Sequence, residues 1–224
     1  MSEIPYRVRR SARARSVRVS VDAEQGVEVV LPSRAREREA AAAMRELRPW
    51  VERRLRTLAR ARAELGLRAG FVPYLGTALE LVPEPGRERV TRRADRLVVP
   101  AGDARPALER WFRRRARAEV APRLDRACAA AGTAYGKLSI RGQRTRWASC
   151  SPAGDMSFNW RLLLAPEPVL DTVVWHEVCH LEVLDHSPRF WALLERRCPE
   201  HREHQRWLRR YGPLLTLGSV PASA

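Results

Sequence analysis

Lysine is nearly missing from this 224-residue chain: of its 42 basic residues only Lys137 is a lysine, and the rest are arginines. No recognition chemistry demands a guanidinium at every cationic position, so this bias reads as the background of a GC-rich coding sequence. Paired cysteines are missing too. Cys128, Cys150, Cys179 and Cys198 contain no C-x-x-C step and are too sparse for a disulfide scaffold, which points to reduced thiols in a cytoplasm. No apolar run approaches the roughly 18–20 residues that a membrane helix requires. The opening Met1-Ser2-Glu3-Ile4-Pro5 also lacks an apolar signal segment. A soluble cytoplasmic protein with no membrane partner is the expectation.

Against those absences stands a formal charge of +16, a pI of about 11.3 and a hydrophobic fraction of 45%. That much apolar material excludes a disordered chain and allows one large domain or two small ones. A basic balance is the usual footprint of a nucleic-acid partner. Residues 1–68 carry 17 arginines and nine acids, and residues 104–126 carry eight and three. In an arginine-rich background the same runs describe solvated faces of amphipathic helices.

Periodicity places the elements. Val17, Val19 and Val21, then Val27, Val29 and Leu31 after Gly26, alternate as two strands of an antiparallel hairpin with one wet face. Residues 35–65 turn helical, with Met44, Leu47, Val51, Leu55, Leu58 and Leu65 on one stripe and Pro49 as a kink or restart. Short strands are expected over 74–99. A long helix follows over 106–131, with Leu108, Phe112, Ala116, Val120, Leu124 and Cys128 inward and Gly132 as its stop. Strands at 137–141 and 156–160 bracket Arg144-Thr145-Arg146-Trp147-Ala148-Ser149-Cys150, with a turn at 151–155. Helices are expected near 166–181, 188–198 and 200–211, the second opened by Ser187 as cap and Pro188 as first helical residue. The chain after Leu217 reads as floppy.

All five histidines, His176, His180, His186, His201 and His204, fall within residues 176–204. The first three stand in His176-Glu177-Val178-Cys179-His180 followed by His186, an H-E-x-x-H with a third histidine. Residues four apart on an α-helix differ by about 40° in azimuth and roughly 6 Å in rise, so two imidazoles can share one ion. Zinc accepts neutral imidazole nitrogens, and a catalytic site leaves a position for water. Glu177, beside the first ligand, is placed to take a proton from that water. In a straight helix His186 would lie about 15 Å from His176 along the axis, so the helix must end soon after His180 and fold back. Asp185 offers a left-handed turn residue for that return. Residues 165–200 hold seven acids against Arg189, Arg196 and Arg197. Among these acids Asp171, Glu182, Asp185 and Glu195 are candidates to orient a ligand histidine through its second nitrogen. Cys179 belongs to the core flank, and His201 and His204 read as surface histidines, with substrate contact as the alternative.

These segments resemble the YgjP-like metallopeptidase family, related to the SprT-like zinc proteases within the zincins. The resemblance runs from the arginine-rich N-terminal strands to about Tyr211. It is carried most specifically by Arg146-Trp147-Ala148-Ser149-Cys150, Asn159-Trp160-Arg161-Leu162, the H-E-x-x-H, and His186-Ser187-Pro188-Arg189-Phe190-Trp191. It implies an α+β fold and a YgjP-like domain over 1–214. Strands and a long helix would fill 1–103, and a zincin-like core, an antiparallel sheet plus the active-site helix, 104–214. A flexible tail would occupy 215–224. It also implies zinc on His176, His180 and His186, with Glu177 catalytic. The family typically has glycine where this chain has Ala148; if that glycine served a positive φ, alanine would cost about 1 kcal/mol or more.

Three functional readings follow. The first is a zinc-dependent peptidase acting on polypeptide, with Glu177 as general base and acid. Arg146, His204 or Tyr211 would stabilise the oxyanion, while Arg146, Trp147, Asn159, His204 and Tyr211 are candidate substrate contacts. Arg146, Trp147, Asn159 and Trp160 read first as a hairpin packed under the active-site helix, the functional alternative being an edge that accepts an extended peptide. The second reading keeps the metal and makes the substrate a nucleoside triphosphate. The third is a nucleic-acid-associated protease. Other divalent ions can replace zinc on imidazoles.

Overall fold

The computed structural model describes residues 3–143 and 145–217. They form an α+β structure that divides into two compact units, 1–66 and 67–224. Residues 67–103 thus fall in the second unit. The reason is packing: Val72, Leu79, Leu81, Leu97 and Val99 share one core with the helix and strands that follow them.

In the first unit, β1 (Tyr6–Ser11), β2 (Arg18–Asp22) and β3 (Gly26–Pro32) form a sheet of order β1-β3-β2, followed by α1 (Arg38–Glu64). The β2–β3 hairpin is antiparallel as the alternation requires, and Gly26 takes φ +74° at its turn. The Asp22 carboxylate accepts the Glu24 and Gln25 N–H groups there, each at 2.9 Å. Beyond the hairpin, β1 adds parallel to β3. Val27, Val29 and Leu31 pack with Ala40, Met44 and Val51 of α1. Each fully buried aliphatic side chain of this kind contributes about 1.5–3 kcal/mol. α1 runs through Pro49, while Leu47, off the buried stripe, is 37% exposed.

The second unit opens with β4 (Phe71–Tyr74), β5 (Thr77–Glu84), β6 (Thr91–Arg93) and β7 (Arg96–Pro100), a sheet of order β4-β5-β7-β6 in which β5 and β7 are parallel. α2 (Arg105–Ala131) follows and buries Leu108, Phe112, Ala116, Val120, Leu124 and Cys128, all on the anticipated stripe. Gly132, at φ +66°, ends it, where an L side chain would be strained. Then come β8 (Leu138–Arg141), β9 (Ala148–Cys150) and β10 (Met156–Asn159), of order β8-β10-β9. This sheet is mixed, not antiparallel as expected: β9 pairs antiparallel with β10, but β8 pairs parallel with it, Ile140 opposite Phe158.

Three helices complete the unit: α3 (Glu167–Cys179), α4 (Pro188–Arg197) and α5 (His201–Tyr211). α3 packs against α2, β9, α4 and α5, and buries Val169, Leu170, Val173, Val174 and Val178. Arg123 of α2 ties it down, donating to Asp171 Oδ1 at 2.9 Å, to Glu119 Oε2 at 2.8 Å and to Glu167. The tail expectation divides: Leu215 and Leu217 are buried in the core, and 218–224 lie outside the described residues. Among the described residues no helix is long and apolar enough to cross a membrane, and the four cysteines are free.

Candidate metal centre

α3 ends at Cys179, and His180 closes its last turn, its N–H reaching the Glu177 carbonyl at 3.1 Å. The chain then folds back through Val183, as the distance argument requires, but Asp185 is not left-handed: among the described non-glycine residues only Leu75 and Ala94 have positive φ. Instead the Asp185 carboxylate accepts the Ser187 N–H at 3.0 Å. That bond, and not the Ser187 hydroxyl, prepares the start of α4, whose cap makes no side-chain hydrogen bond.

The fold-back brings His176, His180 and His186 together, with one ligand nitrogen from each lying within 4.8 Å of the others. His176 Nε2 and His186 Nε2 are 3.1 Å apart. Two nitrogens each about 2.0–2.1 Å from one tetrahedral ion stand a little over 3 Å apart, so the donor set fits a divalent metal such as zinc. His180 is oriented through its Nδ1, 3.0 Å from the Val183 carbonyl, which leaves Nε2 for an ion. None of the four candidate carboxylates does this. Asp171 is held by Arg123, Glu182 by Arg197, Asp185 by Ser187, and Glu195 by His201 and Arg202.

Aromatic rings wall the site. Phe190 stacks on His180 with centroids 4.5 Å apart and meets His176 edge-on at 4.9 Å, while Trp191 lies 5.5 Å from His186. Around His176 and His180 the apolar walls favour the neutral ring: burial, reinforced by the neighbouring histidines, pushes His176 down to about 3, and His180 is lowered for the same reason. Neutral imidazole is the ligating form. Glu177 is 4% exposed, and its Oε2 has no partner among the described residues. Burial pushes it up to about 8 in the metal-free chain, with the Cys150 backbone hydrogen bond acting in the opposite sense. The Cys150 thiol, pushed up to about 11 by burial and then by the Glu177 charge, stays protonated and unreactive.

The candidate substrate contacts divide. Asn159 spends its amide on its own chain, donating to the Gln143 and Arg146 carbonyls at 2.6 and 3.1 Å and accepting the Arg161 N–H at 3.1 Å. The Trp147 indole packs so closely on Gly212 that a Cβ there would lie 2.8 Å from a ring carbon. Arg146 is exposed. Tyr211 pairs with Trp207, centroids 5.1 Å apart, beneath the Arg210 guanidinium. His204 reaches α3: its Nδ1 is 2.6 Å from Thr172 Oγ1, which also meets Cys198 Sγ at 3.2 Å. Ala148 needs no positive φ and pairs with Phe158 in the strand.

Sequence reasoning missed three features. His201, read as a surface histidine, is 1% exposed with Nε2 2.7 Å from Glu195. The Cys150 backbone beside Glu177 had no side-chain signal. Thr172 did have one, standing four residues before His176 and so on the same stripe of α3.

An α+β chain that gathers three histidines beside a buried glutamate has the donor set of a metal-dependent hydrolase. The profile of the YgjP-like metallopeptidase domain matches residues 15–211, and the chain belongs to that metallopeptidase family. No curated protein matches it. Among solved structures, the metallopeptidase zymogen abylysin of Pyrococcus abyssi is similar at 25% identity, over 42% of this chain and 95% of that one, with a TM-score of 0.38.

Proposed function

We propose that this chain is a zinc-dependent peptidase of the H-E-x-x-H type that hydrolyses polypeptide, with His176, His180 and His186 holding the ion and Glu177 moving the proton. The observation that carries this reading is the pairing of three converging imidazoles with a buried carboxylate whose Oε2 is unpartnered. An unpartnered buried carboxyl oxygen costs stability, and a role for that oxygen in the reaction accounts for its retention. When bound, the ion supplies Lewis-acid polarisation of the scissile carbonyl and acidifies a water. Glu177 accepts the proton of the attacking water and returns it to the leaving amine, and the surrounding aromatic rings exclude competing solvent.

His204 is the favoured candidate for stabilising developing charge. Thr172 occupies its Nδ1 and fixes the ring one helical turn before His176. Held through Nδ1, the ring keeps Nε2 to meet the developing charge. Tyr211 and Arg146 remain as secondary candidates, and Trp147 and Asn159 build the loop.

Purified protein loaded with zinc is offered an unfolded polypeptide and, in parallel, a nucleoside triphosphate. Cleavage of the polypeptide alone, stopped by a chelator and restored by zinc, is the expected result. Hydrolysis of the nucleotide without peptide cleavage would overturn the substrate class, and activity indifferent to chelation would overturn the metal.

A further inference from the structure

His201 and Trp191 have no part in the chemistry above, yet their placement is costly. His201, the first residue of α5, is 1% exposed, and its Nδ1 finds no partner among the described residues. A leucine or phenylalanine would fill the space without burying an orphaned nitrogen. What histidine adds is Nε2, which lies 2.7 Å from Glu195 Oε2. A carboxylate there accepts, so Nε2–H donates and the bond sets the plane of the ring. Almost parallel to that plane is the Trp191 indole, with centroids 5.9 Å apart and planes at 20°. The same indole meets His186 at 5.5 Å and 32°, and His176 at 6.2 Å and 61°.

The three ligands differ in their need for support. His176 lies within α3 and His180 closes it, where backbone hydrogen bonds fix their Cα positions. His186 sits on the exposed loop between α3 and α4, so its ring depends on what packs against it. Trp191 and Glu195 are four residues apart on α4 and therefore share a stripe. One helix face thus touches the ligand and, through His201, braces the residue that touches it.

We infer that Glu195, His201 and Trp191 form a positioning chain for His186. Glu195 orients His201, His201 fixes the indole, and the indole holds the loop ligand in its coordinating direction. The inference rests on the metal-binding reading of the three histidines.

The test is metal affinity by chelator competition together with the visible spectrum of the cobalt(II)-substituted protein, with folding followed by circular dichroism. Groups that orient metal ligands typically change affinity by about 10–100-fold when removed. Trp191→Ala and His201→Leu are expected to weaken binding within that range and to alter the cobalt bands, which report ligand geometry and not global stability. His201→Gln, which retains a donor for Glu195, should recover part of the affinity. The Trp191→Ala/His201→Leu double variant should lose little more than Trp191→Ala alone, because both act through one indole. Should His201→Leu not fold, Glu195→Gln, at a half-exposed carboxylate, carries the decision with the same readouts. Folded variants with wild-type affinity and an unchanged cobalt spectrum would overturn the positioning role. A wild-type protein that binds no metal would instead overturn the reading beneath it.

Discussion

At its N-terminal end α3 carries Glu167 and Asp171, and both are answered by Arg123, whose guanidinium also holds Glu119. Little more than a turn later the same helix carries His176, whose Nε2 faces that of His186, and Glu177, whose Oε2 has no partner among the described residues. One helix therefore has a paired end and an open end. The paired end follows the ordinary rule that charge near a core is matched by countercharge and hydrogen bonds. The open end departs from it, with three converging histidines beside a buried Glu177 whose Oε2 has no partner among the described residues, an arrangement that, under the proposed function, a cation and a reaction complete. Stability and chemistry are segregated along about 20 Å of one helix.

The largest effect that separates the ends is loss of a ligand. His176→Ala should take metal content from one ion per chain to none and remove peptidase activity, while the helical signal of the metal-free protein stays close to wild type. A variant that still binds one ion tightly, by elemental analysis, would place the metal elsewhere. Next is Arg123→Leu, which strands three carboxylates. Because these are partly solvated, we expect about 2 kcal/mol of lost stability, below the cost of breaking a fully buried pair. Zinc affinity should be unchanged; a large fall in affinity would show that the ends are coupled.

A smaller effect is pH-dependent. Burial raises Glu119, but hydrogen bonds from Arg123 and Tyr74 and the attraction of Arg123 and Arg115 outweigh it and hold the carboxyl below its ordinary value. Its contribution is thus present above the unfolded value of about 4.3 and disappears as pH falls through the lower folded one. Asp171 has the opposite sign, since burial raises it despite Arg123. Glu119→Gln should flatten the acid limb of a urea-midpoint profile between neutral pH and about pH 3; parallel wild-type and variant profiles would assign the acid sensitivity to other groups. The smallest expected change is Ala148→Gly in β9. With no positive φ to relieve, it should cost about 0.5–1 kcal/mol through backbone entropy, and a thermal midpoint that rises would contradict that.

Much of this comparison was readable before any coordinates. Local spacing determines His176 and His180, alternation determines the β2–β3 hairpin, and the stripe of α2 appears residue for residue. What escaped depends on partners distant in sequence. The parallel pairings of β1 with β3 and of β8 with β10 leave no local trace, since a parallel neighbour is chosen by the crossover and not by the strand's own pattern. His201 looked like surface because histidine usually is, and only Glu195 and Trp191, brought over it by the turn between α4 and α5, make its burial tolerable. The Val183 carbonyl that orients His180 carries no side-chain signal at all.

The central claim is that Glu177 is the proton carrier of a metal peptidase. Its most direct test compares metal content and polypeptide turnover in the wild type and in Glu177→Gln. The account predicts one ion per chain in both, with turnover in the variant lower by about 10²–10⁴-fold. A variant that keeps its metal and cleaves polypeptide at the wild-type rate would contradict it.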